Sequence, residues 1–329
     1  MKVLVVGGAG YIGSHMCKML QRNGDTVVVL DDFSTGYRDV VRYGDLAEGS
    51  IEDRAFLERT FAAYQFDAVM HFASFIQVGE SVREPAKYYR NNLANTQNLL
   101  DAMLAHDVKR FVFSSTAAIF GEPERMPIDE TQCSAPINPY GRSKWMVEQI
   151  LSDYELAYGL NSVCLRYFNA AGADPEGDLG ERHIPETHLI PLVLQAASGR
   201  RAAISVFGTD YDTPDGTCIR DYIHVEDLCS AHLCALKRLM AGQGSGRFNL
   251  GNGGGFSVKQ VIEAARSVTG RDIEVRYEPR RPGDPARLVA DATLARQQLG
   301  WTPRHAELPK IIADAWAWEQ RHAWPTFAN

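Results

Sequence analysis

A chain of 329 residues exceeds the length at which one hydrophobic core usually stops growing, so two lobes are expected. Hydrophobic residues at 45% and charged residues at 23% exclude the disordered, collagen-like and disulfide-dense classes. A formal net charge of -7 argues against nucleic-acid and anionic-membrane partners, which need a cationic face, so an anionic ligand must meet local arginines.

The chain opens on MKVLVVGGAG, an apolar run that breaks into glycines before it reaches the length of a signal peptide core. No later stretch approaches about eighteen uncharged apolar residues, so no membrane span is expected. A strand over residues 2–6, a helix over 11–23 and a strand over 26–30 begin an alternation that implies parallel strands with crossover helices. Gly7, Gly10 and Gly13 form GxxGxxG between that first strand and helix. Glycine there permits a tight turn and close backbone approach, while the helix N-terminus offers free N–H groups to a pyrophosphate. Asp31 ends the next strand, eighteen residues beyond Gly13, where a carboxylate accepts from ribose hydroxyls. Asp31 and Asp32 together repel a 2′-phosphate and favour NAD over NADP, with Arg38 the one nearby dissent.

Further strands are predicted over 68–72, 110–115 and 161–167, completing a doubly wound parallel sheet. The run Ser114-Ser115-Thr116 falls at the carboxyl edge of that sheet, where open α/β folds collect ligands. Asn138-Pro139-Tyr140 reads as a helix start, with Asn138 capping and Pro139 at the first helical position. Lys144 follows Tyr140 by four residues and projects from the same face, where an ammonium favours the phenolate and makes a general base. A YxxxK pair alone also suits a solvated helix surface; the strand-end hydroxyl of Thr116 is what raises it to a catalytic candidate.

After about Asn169 glycine and proline become more frequent, with loops such as 210–217 and only modest helical runs. A helix over 221–239 and a strand over 247–250 return the chain to the first lobe, and 251–255 reads as a turn. The expected division is a dinucleotide-binding lobe over 1–171, rejoined around 217–252, and a smaller α/β lobe over 172–329. The six cysteines, Cys17, Cys133, Cys164, Cys218, Cys229 and Cys234, contain no CxxC pair. Neither a metal site nor a disulfide framework is indicated, and a reducing cytoplasm is expected.

GGAGYIGS at the start, Tyr140-Gly-Arg-Ser-Lys144 and the hydroxyl residue ending the strand before them resemble the extended short-chain dehydrogenase/reductase family. The likeness covers essentially the whole chain. HFAS with VGESV at 71–82, YYRNN at 88–92, RYFN at 166–169, RDYIHV at 220–225 and RRPGD at 280–284 narrow it to the UDP-hexose 4-epimerases. The resemblance implies a Rossmann-type fold, a homodimer, and an NAD that stays bound and is regenerated each cycle. It implies that Tyr140 removes the 4-hydroxyl proton while C4 passes hydride to NAD. The 4-keto sugar then turns about its diphosphate linkage and takes the hydride back on its other face.

Residue by residue, the likeness assigns Gly7, Gly10, Tyr11, Ile12, Gly13, Asp31, Asp32, Ser34 and Gly36 to the cofactor cleft. Ser50, Ile51, Phe72, Ala73, Ser74, Asn91, Ser114, Tyr140, Lys144 and Phe168 complete that set. To the nucleotide sugar it assigns Thr116, Tyr140, Asn169, His188, Leu189, Phe207, Arg220, Arg281 and Asp284. Guanidinium groups suit diphosphate oxygens in an acidic protein, although Arg220 with Asp221 or Arg281 with Asp284 also reads as a structural ion pair. The chain departs from some members at Ile76, Ser50 and His188, where a lysine, an acid and an asparagine are found. Leu288 falls where relatives place the side chain that excludes or admits an N-acetyl group, so N-acetylhexosamine and pentose substrates stay open. A dehydratase would need acids after the catalytic threonine, where Ala117 and Ala118 stand. A simple dehydrogenase and a non-catalytic NAD-binding protein are the remaining alternatives.

Overall fold

The computed structural model describes residues 1–281 and 284–321. The first half of the chain forms β1 (Lys2–Val6), α1 (Tyr11–Arg22), β2 (Thr26–Asp31), β3 (Asp45–Glu48), α2 (Arg54–Ala63) and β4 (Ala68–His71). Two short helices, α3 (Val78–Arg83) and α4 (Pro85–Tyr88), run through a wide π-helical turn over Tyr89–Ala94 into α5 (Asn95–Ala105). Then come β5 (Arg110–Thr116), α6 (Pro139–Tyr158), β6 (Asn161–Tyr167), β7 (Asn169–Ala171), α7 (Leu189–Ala197), β8 (Ile204–Phe207), β9 (Ile219–Arg220) and β10 (Tyr222–His224). The remaining elements are α8 (Val225–Met240), β11 (Gly246–Leu250), β12 (Phe256–Ser257), α9 (Val258–Thr269), β13 (Val275–Glu278), β14 (Arg287–Leu288), α10 (Thr293–Leu299) and α11 (Leu308–Arg321).

Seven strands pair in parallel in the order β11-β6-β5-β4-β1-β2-β3. Helices cover both faces, which is why β1 reads as an unbroken apolar run. Its alternate side chains feed two cores. Val3 and Val5 pack with Met16 and Leu20 of α1 and Leu228 and Leu236 of α8. Leu4 and Val6 pack with Leu57 of α2, Leu99 of α5 and Leu151 of α6. Strand order reverses between β1 and β4, which opens a crevice at their carboxyl ends where ligands collect in such sheets.

A third core joins Val193 of α7, Val206 of β8, Ile262 of α9 and Ile311 of α11, with β8 and β13 paired in parallel. Short pairs lie alongside: β7 with β10, and β9 between β12 and β14. Two expectations need correction. The helix predicted from residue 221 begins at Val225, because Tyr222–His224 pair with β7 as a strand and His224 caps the helix by accepting from the Glu226 N–H. The fourteen residues of α11 also exceed the modest helical runs expected after residue 169. Pro282 and Gly283 of the RRPGD motif lie outside the described residues.

Candidate functional site

The glycine turn connects β1 to α1 at the mouth of the crevice. Gly7 has φ 82°, and a Cβ on it would lie 2.5 Å from the Ala73 nitrogen, so the backbone from β4 passes where a side chain would stand. At Gly13 a Cβ would lie 2.1 Å from the Gly7 carbonyl oxygen, a closeness that only glycine permits. Gly10 caps α1 with no side-chain hydrogen bond, and no acidic residue occupies the first turn. That helix end therefore suits a pyrophosphate in charge and in donors. Tyr11 and Ile12 follow in the same turn, and Gly36 packs against Ala9 beneath it.

Asp31 is buried and engaged differently from a free ribose acceptor. Its carboxylate accepts from the Ala9 N–H at 2.9 Å and the Phe33 N–H at 2.9 Å, tying the glycine turn to the end of β2. Burial raises its carboxyl above the ordinary value. Asp32 stays exposed, accepting from the Ser34 N–H. Arg38 forms a two-pronged pair with Glu48 on β3 and lies 4.2 Å over the Phe33 ring. The Arg38 guanidinium is thus neutralised by Glu48, which leaves the acidic rim to favour NAD over a 2′-phosphate. Ser50 and Ile51 follow β3, and Phe72 packs against His232 at 4.9 Å. Asn91 sits on the π-helical turn and donates to Asn92 at 3.0 Å.

Tyr140 rides on the first turn of α6, which Asn138 caps by accepting from the Gly141 N–H at 2.9 Å, with Pro139 at the first helical position. The Thr116 hydroxyl is near enough to the Tyr140 phenol to favour its ionised form. Thr116 also accepts from the Ala118 N–H at 3.1 Å, fixing its rotamer at the end of β5. Lys144 is buried; its ammonium donates to Ser74 Oγ at 2.6 Å and to the Ser114 carbonyl at 2.8 Å, above the Phe113 ring. These contacts join the ends of β4 and β5 to one helix. Burial acts on both members of the expected pair. Burial raises Tyr140 above the ordinary tyrosine value and pushes Lys144 down to about 7. Loss of hydration disfavours the charged form of each, and the Lys144 ammonium aims its protons at Ser74 and Ser114.

Arg281 and Asp284 line an open cleft of about 720 Å³ together with Tyr211, Arg280 and Arg287. The Arg281 guanidinium lies 3.7 Å from the centre of the Phe207 ring. Arg220 pairs closely with Asp284, not with Asp221. The Asp221 carboxylate instead accepts backbone N–H groups of Asn252, Gly253 and Ala290. Asn169 donates to the Asp221 carbonyl at 2.9 Å. Phe168 packs with Trp145 and Leu288 against Ile119, Phe120 and Ile128. His188 and Leu189 start α7, with His188 paired to Glu181 and Glu186. Cys218 is buried 3.6 Å from Asp284, and burial pushes its thiol up, so it is not a reactive loop thiol.

Two supports of the site went unnoticed in the sequence. Glu148, one turn beyond Lys144, is buried and accepts from Arg166 Nη2 at 2.6 Å and Ser115 Oγ at 2.6 Å. Its signal was an acid in step with Tyr140 and Lys144 on a buried helix face. The Tyr167 hydroxyl closes on Ser114 Oγ, bracing the carbonyl that holds Lys144.

A doubly wound sheet with a glycine turn at its switch point and a tyrosine–lysine pair at its carboxyl edge defines a dinucleotide-dependent enzyme of the short-chain dehydrogenase/reductase type. Residues 3–251 match the model of the NAD dependent epimerase/dehydratase family, and the chain belongs to that family. A UDP-glucose 4-epimerase of Halalkalibacterium halodurans is 50% identical over 98% of this chain and 96% of its own. The UDP-glucose 4-epimerase of Brucella ovis, solved in complex with NAD, superposes with a TM-score of 0.94 at 50% identity, over 96% of this chain and 97% of that one. The UDP-Glc/GlcNAc 4-epimerase of Campylobacter jejuni superposes with a TM-score of 0.87 at 44% identity, over 98% and 99%.

Proposed function

We propose that Tyr140, Lys144 and Thr116 carry out the inversion of C4 in UDP-hexoses, with Asn169, His188, Leu189, Phe207, Arg220, Arg281 and Asp284 holding the nucleotide sugar. The chain is an NAD-dependent isomerase that interconverts UDP-galactose and UDP-glucose. NAD, when bound, supplies an acceptor for the C4 hydride that returns it later, and in oxidised form a positive ring charge. The turn of Gly7, Gly10 and Gly13, the carboxylates of Asp31 and Asp32, and the Ser74–Lys144 pair would hold it. Tyr140 takes the 4-hydroxyl proton as the hydride leaves C4, and gives it back when the hydride returns to the other face of the ketone. Thr116, beside that phenol at the end of β5, orients the same hydroxyl. The arginines grip the diphosphate while the hexose turns, which requires strong nucleotide contacts and weak sugar contacts.

The observation that carries this reading is the convergence of Lys144, Ser74, Ser114, Thr116 and Tyr140 at the carboxyl edge of the sheet. The two alanines after Thr116 leave no acid for dehydration. The test is purified protein incubated with UDP-galactose and no added cofactor, which should yield UDP-glucose. Tyr140→Phe should lower kcat by roughly 10²–10⁴ while retaining NAD, and undiminished turnover would reject Tyr140 as the base. A second reading, that UDP-N-acetylhexosamines also turn over, is favoured by the 44% identical Campylobacter jejuni enzyme, named for both sugars. Failure to convert UDP-N-acetylgalactosamine at saturating protein ends it. A homodimer through α5 and α6 belongs to the same proposal, supported by Leu156 at 87% and Tyr158 at 52% exposure on α6. So does a cytoplasmic setting, which suits six free cysteines.

A further inference from the structure

Four side chains converge in the segment leading to α7, three of them lining a small cavity with Gly172, Leu194 and Trp318. Glu181, His183, Glu186 and His188 bring one potential ligand atom each to within 4.8 Å of one another. His188 Nδ1 lies 2.8 Å from Glu181 Oε1 and 3.0 Å from Glu186 Oε1; His183 Nδ1 lies 3.1 Å from Glu181 Oε1 and 3.7 Å from Glu186 Oε2. The two carboxylate side chains are only 7% and 6% exposed.

Two buried carboxylates demand compensation, either as protons on both imidazoles or as one dication between all four groups. Three of the four separations are of hydrogen-bond length and the fourth, 3.7 Å, is longer, while Glu186 Oε1 also accepts from the Thr187 and His188 N–H groups. Zinc bound at about 2.0–2.1 Å has a tetrahedral ligand-to-ligand edge of roughly 3.4 Å, so an ion would spread the three shorter separations by a few tenths of an ångström and draw in the longest. A second cluster, Asp174, Glu176 and Asp178, needs no ion, because the Lys18 ammonium already sits 2.5, 3.0 and 2.9 Å from its carboxylates.

We propose that Glu181, His183, Glu186 and His188 form a four-ligand site for a divalent cation of the zinc type. Four protein ligands leave no open coordination position, so the role is structural: the ion clamps the segment over residues 181–188. That segment abuts the start of α1. The His183 ring stands 6.4 Å from the Tyr11 ring in edge-to-face geometry, and the Tyr11 hydroxyl donates to the Gly172 carbonyl at 2.7 Å. The site uses no thiolate, so cysteine spacing carries no trace of it; its trace is the pattern E-x-H-x-x-E-x-H.

The test uses the full chain with its NAD retained, stripped with a chelator and titrated with zinc chloride or cobalt chloride. Bound metal is read by elemental analysis and cobalt geometry by visible absorption. The expected result is about one ion per chain, intense four-coordinate cobalt bands and a melting temperature that rises on reloading. His183→Ala should weaken zinc binding by more than the roughly 10–100-fold that losing an outer-shell partner costs. His183→Cys should keep one cobalt ion and add a sulfur-to-cobalt charge-transfer band. Folded, stripped wild-type protein that takes up no zinc at micromolar free ion overturns the proposal. So does zinc affinity unchanged in His183→Ala, or, where that variant fails to fold, a cobalt spectrum of His183→Cys without the sulfur band. None of these readouts involves turnover, so they stand or fall separately from the C4 chemistry.

Discussion

Gly13 carries the tightest steric demand in the cofactor turn. With a Cβ placed 2.1 Å from a backbone oxygen, Gly13→Ala must move either β1 or α1, and overpacking of that kind costs about 1–3 kcal/mol. The variant should lose that stability in urea titration and emerge from purification depleted in NAD by absorbance; unchanged values in both would contradict the close approach. Gly7 and Gly13 were legible because their spacing falls between a strand and a helix whose periodicities are plain. The state of Lys144 was not legible. Spacing placed it on the same face as Tyr140, but only packing reveals that the amine is buried, pushed down to about 7, and hydrogen-bonded to Ser74 and Ser114.

At the scale of elements, α6 is the part on which positioning depends, since its first turn carries Tyr140 and its second Lys144. Removing the cap with Asn138→Ala should cost about 1 kcal/mol of stability and lower kcat more than it alters KM, while Asn138→Asp should restore both. A variant with full kcat would show that the first turn holds without its cap. The strands of the large sheet were readable because burial on both faces makes them continuous apolar runs, and 161–167 was placed to the residue. β3 was missed because it is a partly exposed edge strand with acids at both ends. β9, β12 and β14 are two-residue strands whose partners lie far away in sequence, so no local period marks them. The Glu181–His188 cluster escaped for a related reason: single charged residues in a loop look like solvated surface until the fold buries them together.

At the scale of the molecule, three neutral histidines govern acid sensitivity. His15, His71 and His232 lie in the core with values lowered to about 4, 3 and 4, mainly by burial, and each has one ring nitrogen without a partner among the described residues. The unfolded chain protonates them near pH 6.5 and the folded one does not, so stability is full above about pH 6.5 and falls as pH drops toward about 4. Each contributes a slope of about 1.4 kcal/mol per pH unit inside its window, and urea midpoints measured from pH 7 to 4.5 should decline accordingly. A flat profile would mean that these rings accept protons in the folded state. The path of the chain between its cores has a consequence of its own. From the sheet it passes to the α7–β8 core, back with α8 and β11, out to α9 and β13, back with Ala295 and Trp301, and out again to α11. Five separate connections therefore span the gap, and any hinged gape would have to flex all five together. The width of the mouth is set once, during folding, and a hexose must find room to pivot in slack already present rather than wait for the two halves to part.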